Sequence, residues 1–419
     1  MRNVTRPSAR PTSVAATWYR VVAGLALAVV TGASPAHAAG DALQSAAHQL
    51  IRSQLPSGLL RYDFDFVGGA PSSKDDMVRQ AGVVSFMAAY YAHTGDPRMR
   101  VAVETALATF GRLSVPVSNG WWHPLLMNGL SSVPVGRQRV WQALDRWGVM
   151  YRPHGDGRVL TIDGRYEAAD TGATAMALLA ELLYFEASGD DRYRTDRMAW
   201  RNGLVAGHIP GRGFRSTPIN LDESAFYNGE AWLTLAHYHR RYPQDAVVAG
   251  LLTDLDAYLM HRYENDLGTG FYQWGTMAAA LRFQTTSDPR FFGFIARQAE
   301  KALDEAPWSE TRDRNTCSMV EGLATAAGLL SSHSQYAGLS RRLAHKVDME
   351  MTKNRRFQIP ANVNGVVLGG GAYLMSPHLA EFAGAFLADT SGVYTRIDYT
   401  GHCVAAMLKR MPPRAEAKA

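Results

Sequence analysis

Six short polar turns, each between two apolar stretches long enough to be helices, constrain this chain more than any other feature. They read His93-Thr94-Gly95-Asp96-Pro97, Ser188-Gly189-Asp190-Asp191, Tyr242-Pro243-Gln244-Asp245, Thr286-Ser287-Asp288-Pro289, Ser332-His333-Ser334-Gln335 and Ala388-Asp389-Thr390-Ser391. Each predicts a helical hairpin. The stretches between one pair and the next are longer, uneven, and rich in aromatic, Arg, Asp and Gly residues. A closed ring of hairpins would put all of those long connections on one face, where function is usually carried.

Twelve helices follow from this pattern, in two sets. One set opens near Asp76, Asp170, Glu223, Tyr272, Arg314 and Tyr373, and is rich in small and apolar residues such as Ala81-Gly82-Val83-Val84 and Gly322-Leu323-Ala324. Helices apolar nearly all round are buried, so these are the expected inner helices. The other set opens near Ala42, Pro97, Asp191, Ala246, Arg290 and Gln335, carries more charge, and should lie outside. Six inner and six outer helices make an all-α (α/α)6 toroid. A tetratricopeptide-like solenoid would need a near-constant period of ~34 residues, and the spacing here is irregular.

The long connections are the candidate site face. The first holds Arg61-Tyr62-Asp63-Phe64-Asp65-Phe66. The second, from about Leu113 to Ala169, holds Trp121-Trp122-His123 and an alternating run from Arg158 to Tyr166 around Asp163-Gly164. That run is expected to be a β-hairpin inserted on the loop face. The third holds Gly211-Arg212-Gly213-Phe214-Arg215, and the last Gly369-Gly370-Gly371.

The N-terminal segment reads differently. Arg2, Arg6, Arg10 and Arg20 precede an apolar run, Val21 to Val30, and Ala36-His37-Ala38 follows. This is the pattern of a secretory signal peptide, residues 1–38; the run is about half the ~20 residues a membrane span needs. The domain expected to fold is 39–411, with 412–419 a disordered tail. The formal charge of +5 rests mostly on those four arginines, so the mature chain would be close to neutral. Neither a nucleic-acid partner nor stable membrane insertion follows from the charge. The expected location is periplasmic or secreted, where Cys317 and Cys403 could form a disulfide or stay as two buried thiols.

The first turns of inner helices border the central cavity, and here they are polar: Asp75, Asp76, Arg79 and Gln80; Asp170; Glu223, Tyr227, Asn228 and Glu230; Tyr272, Gln273 and Trp274; Arg314 and Glu321; His378 and Glu381. Asp76, Asp170 and Glu223 could be helix caps. Glu230 and Glu321 lie two turns inside apolar helices, where an unpaired carboxylate costs several kcal/mol. Carboxyl groups converging on one cavity suit acid–base chemistry on a sugar, one protonating the leaving oxygen and another activating water or attacking. Asp76, Asp170, Glu230 and Glu321 are therefore the candidate acids and bases. Arg79, Gln80, Trp121, Trp122, Tyr227, Tyr272, Trp274 and Arg314 are the candidate substrate-binding residues, through stacking and hydrogen bonds. His237 and His239 read as an outer-edge pair. The chain has no Gly-x-Ser-x-Gly elbow, His-Glu-x-x-His or P-loop, and no metal or cofactor is expected.

With Val78-Arg79-Gln80-Ala81-Gly82, Phe226-Tyr227-Asn228-Gly229-Glu230-Ala231 and Phe271-Tyr272-Gln273-Trp274 opening inner helices, the chain resembles the six-hairpin glycosidase-like superfamily. That group holds unsaturated glucuronyl hydrolases, other toroidal glycoside hydrolases, polysaccharide lyases and sugar epimerases. The resemblance implies a carbohydrate-active enzyme. The first expectation is a glycoside hydrolase acting on an envelope or extracellular polysaccharide. A uronate lyase or epimerase is the second, with Tyr227 or His123 as base and Arg79 or Arg314 neutralising the acid. A non-catalytic glycan-binding or scaffold protein with an envelope protein partner is the third. The inner helices lack the His pair of the N-acylglucosamine epimerase type.

Overall fold

Small side chains decide which helices go inside. Thr171–Ser188 begins Thr-Gly-Ala-Thr-Ala, and every residue from Thr171 to Leu182 is buried; with so little bulk on any side, neighbouring backbones approach all round it. The computed structural model describes residues 35–118, 153–218, 220–265, 267, 270–304, 314–368, 372–389 and 393–411. Contacts divide the chain into residues 1–41, of which 35–41 are described and helical, and a compact unit of residues 42–419. The expected signal segment up to residue 34, Trp121, Trp122, His123, Gly369-Gly370-Gly371 and the 412–419 tail lie outside the described residues.

Among the described residues there are twelve α-helices. They are α1 (Pro35–Arg52), α2 (Met77–Thr94), α3 (Pro97–Leu113), α4 (Thr171–Ser188), α5 (Arg194–Gly207), α6 (Ala225–Arg241), α7 (Ala246–Arg262), α8 (Phe271–Thr286), α9 (Pro289–Asp304), α10 (Cys317–Leu330), α11 (Ala337–Asn354) and α12 (Ile397–Leu408). In the compact unit α2 packs on α4, α4 on α6, α6 on α8, α8 on α10, α10 on α12, and α12 back on α2. The even-numbered helices thus close an inner ring. Each of α3, α5, α7, α9 and α11 packs outside the inner helix that precedes it. The fold is an (α/α)6 toroid.

The turns close in the expected way. Gly95 and Gly189 end α2 and α4 in the left-handed conformation, at φ 72° and 68°, where a side chain would be strained. Asp96 and Asp245 then cap α3 and α7 through backbone N–H groups. Buried polar side chains pin outer helices to inner ones. Arg197 of α5 donates to Glu181 of α4 at 3.0 Å. Asp256 of α7 accepts from Arg282 of α8 at 2.6 Å and from Trp232 Nε1 of α6 at 2.7 Å. Cys317 and Cys403 form a disulfide, tying α10 to α12. No helix among the described residues is long and apolar enough to cross a membrane.

Among the described residues, three two-stranded antiparallel sheets decorate the loops. β1 (Asp63–Asp65) pairs with β6 (Tyr394–Arg396), β2 (Ser114–Ser118) with β3 (Pro153–Leu160), and β4 (Gly365–Val367) with β5 (Tyr373–Met375). The first of these lays the α1–α2 connection against the residues that lead into α12.

Two expectations need correction. The sixth inner helix does not begin near Tyr373: that residue opens β5, residues Leu379–Phe382 form a single 3-10 turn, and Ala388-Asp389 do not join two helices. Leu379, Phe382 and Phe386 are buried and mimic helical spacing. Pro377 lacks the N–H a helix needs, and Gly384 takes φ +93° against the backbone of Ser45, where no Cβ would fit. The sixth inner helix is α12, and the sixth outer position falls to α1, from the other end of the sequence. The second correction concerns residues 158–166. Gly164 does make the turn, at φ +77°, but the returning arm becomes a 3-10 turn, Tyr166–Ala168, joined only through the bridge Thr161↔Ala169. β3 instead finds its partner in β2, which leaves α3 directly and offers a longer edge.

Candidate functional site

Helix caps aim the inner helices at the loop face. The Asp76 carboxylate accepts from Arg79 N at 3.1 Å to start α2, and Ser224, not Glu223, occupies the capping position of α6. A cavity of about 350 Å³ lies over these first turns. Asp76, Arg79, Tyr227, Glu230, Trp274 and Asp398 are among the residues that line it.

Its most unusual group is Glu230. The side chain is 4% exposed, and Oε2 has no hydrogen-bond partner among the described residues. Buried polar atoms are nearly always paired. Burial first, then the nearby carboxylates of Asp76 and Asp170, push its pKa up to about 8 against the opposing pull of Arg79. The carboxyl fits because the facing helix has no side chain there: a Cβ on Gly172 would collide with Glu230 Oε2 and with the Tyr227 ring. Asp170 precedes α4 in the capping position, yet its side chain makes no capping bond. Burial and the charge of Asp76 raise its pKa, with the Tyr227 hydroxyl acting the other way. Burial and the surrounding acids in turn raise the Tyr227 phenol. Glu230 and Tyr227 thus line the cavity, with Asp170 beside the Tyr227 hydroxyl.

The opposite wall was not foreseen. Arg396 donates to Asp398 through Nε at 2.6 Å and Nη2 at 2.7 Å, and Arg79 Nε donates to the same carboxylate at 3.2 Å. Burial works to raise the Asp398 pKa, but the two guanidiniums hold it below the ordinary value. Arg79 also bonds the Tyr62 hydroxyl, at 3.0 Å, and Asp76. A signal for this wall exists in the sequence: Asp398-Tyr399-Thr400-Gly401 opens an inner helix much as Asp170-Thr171-Gly172 does, with the alternating Tyr394-Thr395-Arg396 strand before it. Phe226, 47% exposed at the cavity rim, was likewise missed as a site residue.

The structure gathers Asp76, Asp170, Glu230, Arg79, Tyr227 and Trp274 at or beside this cavity, and leaves others elsewhere. Gln80 spends its amide on Leu60 N, Leu60 O and Asp75, fastening the α1–α2 connection. Tyr272 is buried in the core against α10. Arg314 is exposed and bridges Asp389 through the backbone. Glu321 lies below the cavity and meets His402 Nδ1 at 2.7 Å. Glu223 binds Arg212 at 2.6 Å and Asn228 at 3.0 Å, ordering the α5–α6 connection. His378 and Glu381 pair with each other at 3.4 Å outside the cavity lining. His237 faces a second axial cavity at the turn face, not the outer edge. Among the described residues no group of three or more His, Cys, Asp or Glu side chains could hold a metal ion.

No protein-family model and no curated protein sequence matches the chain. Solved structures do. The α-1,6-mannanase of glycoside hydrolase family 76 from Salegentibacter sp. HEL1_6 superposes with a TM-score of 0.58 at 12% identity, over 89% of this chain and 98% of its own. An inactive variant of that mannanase with two substituted aspartates, bound to α-1,6-mannotetrose, gives 0.57 with the same identity and coverage. An unsaturated glucuronyl hydrolase specific for heparin gives 0.55 at 10% identity, over 89% and 96%. Identities this low speak to architecture alone: the chain shares the (α/α)6 fold of these glycoside hydrolases.

Proposed function

We propose that this chain is an exported glycoside hydrolase acting on an oligosaccharide or polysaccharide. The observation that carries the reading is Glu230: a buried carboxyl whose Oε2 has no partner among the described residues, its pKa pushed up to about 8, lining a cavity beside a second raised carboxyl, Asp170. Glu230 is the general acid that gives its proton to the glycosidic oxygen. Asp170, whose pKa burial and the charge of Asp76 raise, takes a proton from the attacking water. Arg79 holds Asp76 and Asp398 in place along the wall, and Phe226, exposed at the rim, offers a flat face to a sugar ring. The fold's neighbours support the substrate class, since one holds a mannotetrose and others are named as mannanases or a glucuronyl hydrolase. The signal-peptide pattern and the Cys317–Cys403 disulfide support export.

A uronate lyase needs a free cation for the substrate carboxylate and a readily ionised base. Arg79 and Arg396 are already neutralised by Asp76 and Asp398, and Tyr227 is pushed away from the phenolate. The test is mass spectrometry of digests of neutral, amino-sugar and uronate glycans. One water gained per cut is expected, with activity falling ~10²–10⁴-fold in Glu230→Gln and Asp170→Asn while folding is kept. Cleavage without added water, or full activity in both variants, would overturn the assignment.

A further inference from the structure

The inner ring holds a second cavity, of about 320 Å³, at the turn face. Phe86 and Trp274 line both cavities, and their rings stack with centroids 6.1 Å apart. Leu179 and Leu183 of α4, Leu233 of α6, Met277 of α8 and Leu408 of α12 form the walls of the second one. Two hydroxyls on those walls are spent within their own helices, Ser85 on Gly82 O and Thr325 on Glu321 O, each at 2.7 Å. The walls are therefore largely carbon, as in many ligand pockets of this size. Glu321, at the inner end, is 1% exposed and meets His402 Nδ1 at 2.7 Å.

The mouth is cationic. Inner helices reach the turn face with their C-terminal ends, and two of them end in basic side chains that line this cavity, Arg240 of α6 and Lys409 just after α12. Basic groups there suit the helix dipoles, but these two also act on one point inside. Burial first, and then the charges of Arg240 and Lys409, push the pKa of His237, one turn further in, down to about 3. Arg240 donates to His237 Nδ1 at 3.3 Å and to Glu186 at 2.9 Å. Lys409 is exposed to solvent, and its ammonium has no hydrogen bond or ion pair with another described residue; Glu321 acts on it only at longer range.

We infer that the turn-face cavity binds an amphiphilic carboxylate, its acyl chain along the leucine walls and its head on Lys409 and Arg240 at the mouth. Each end of the ligand follows from complementarity. An apolar chain displaces water from carbon-lined walls, and a carboxylate gives the Lys409 ammonium a charge-assisted partner. A cationic head would be repelled by the same two side chains. The site needs no part of the glycan reading and stands or falls apart from it.

The test is titration calorimetry of the protein with decanoate, kept below the concentration at which it forms micelles. Saturable binding at one site is expected. Decyltrimethylammonium, with a similar tail and the opposite charge, and acetate, with the head alone, should each bind at least about tenfold more weakly. Lys409→Met, which keeps an apolar stem at an exposed position, should weaken decanoate about tenfold. Ala89→Phe, which fills the cavity from α2, should abolish binding, and Lys409→Met still reads the site where Ala89→Phe unfolds the ring. No saturable binding of decanoate, equal binding of the two amphiphiles, or an affinity for decanoate untouched by Lys409→Met would each overturn the inference.

Discussion

Two buried glutamates on neighbouring inner helices share their burial and differ in what they face. Glu181 of α4 and Glu230 of α6 are 0% and 4% exposed, and burial pushes both to about 8. Glu181 points outward to the buried guanidinium of Arg197 on α5, which also meets Asp191. Glu230 points inward, where acids outnumber the single opposing arginine; an Oε2 without a partner among the described residues is common to both. Burial and displaced proton affinity are therefore common to both. The difference is geometric: one carboxyl sits in a closed seam between two helix layers, the other at an open cavity.

That contrast can be broken most directly by exchanging each acid for its amide. Glu181→Gln should lower stability by about 1–3 kcal/mol, because the amide accepts more weakly from Arg197 and places an NH2 in a buried seam where Oε2 has no partner among the described residues, while activity per folded molecule stays unchanged. Denaturant unfolding paired with assays on the folded fraction measures this. Glu230→Gln should do the opposite, keeping stability and losing activity; equal destabilisation of the two variants would erase the distinction. Removing the disulfide with Cys317→Ser and Cys403→Ser together should cost about 2–5 kcal/mol and loosen α12, the helix that carries Asp398 and His402. Its readout is the melting temperature with and without reductant.

The pH dependence sharpens the same comparison. Glu230 has a higher pKa folded than unfolded, so between about 4.5 and 8 the folded state binds more protons and stability declines as pH rises. Glu230→Gln should flatten that part of the decline, and at alkaline pH the variant should be at least as stable as the parent. Hydrolysis by the parent should also fade as pH rises through about 8, when the acid loses its proton. A smaller effect is expected from Gly172→Ala, which keeps every ionisable group but crowds Glu230 Oε2 and Tyr227: a loss of about 1–3 kcal/mol in stability from overpacking, with activity reduced alongside. Unaltered activity and stability there would show that the close approach of α4 is not needed.

Much of this was open to reading from the residues. Five of the inner helices and all the outer ones announced themselves through short turns, small-residue runs and charge, because a helix packed on several sides is built mostly from small and apolar residues. Asp76, Asp170, Glu230, Arg79, Tyr227 and Trp274 were legible for a related reason: polar side chains at the mouths of apolar helices have few places to go except the ring's axis. The sixth inner helix was not legible. Leu379, Phe382 and Phe386 keep helical spacing, and only Pro377 and the close approach of Gly384 to Ser45 turn that segment into strands and a single turn. Gln80 and Tyr272 sit at equally suitable positions in sequence but rotate away from the cavity, which depends on where each helix meets its neighbour.

The sequence by itself determined the toroid, the face that carries the long connections and most of the acids along one wall. These follow from local periodicity, helix caps and side-chain size, which act over a few residues. Only the tertiary structure decided that α12 closes the ring on α2, and that Arg396 and Asp398 meet Arg79. It also decided that Glu321 serves His402 from below while Glu230 stands alone. Those outcomes join residues far apart in the chain, and they are set by which helices become neighbours once the ring has closed.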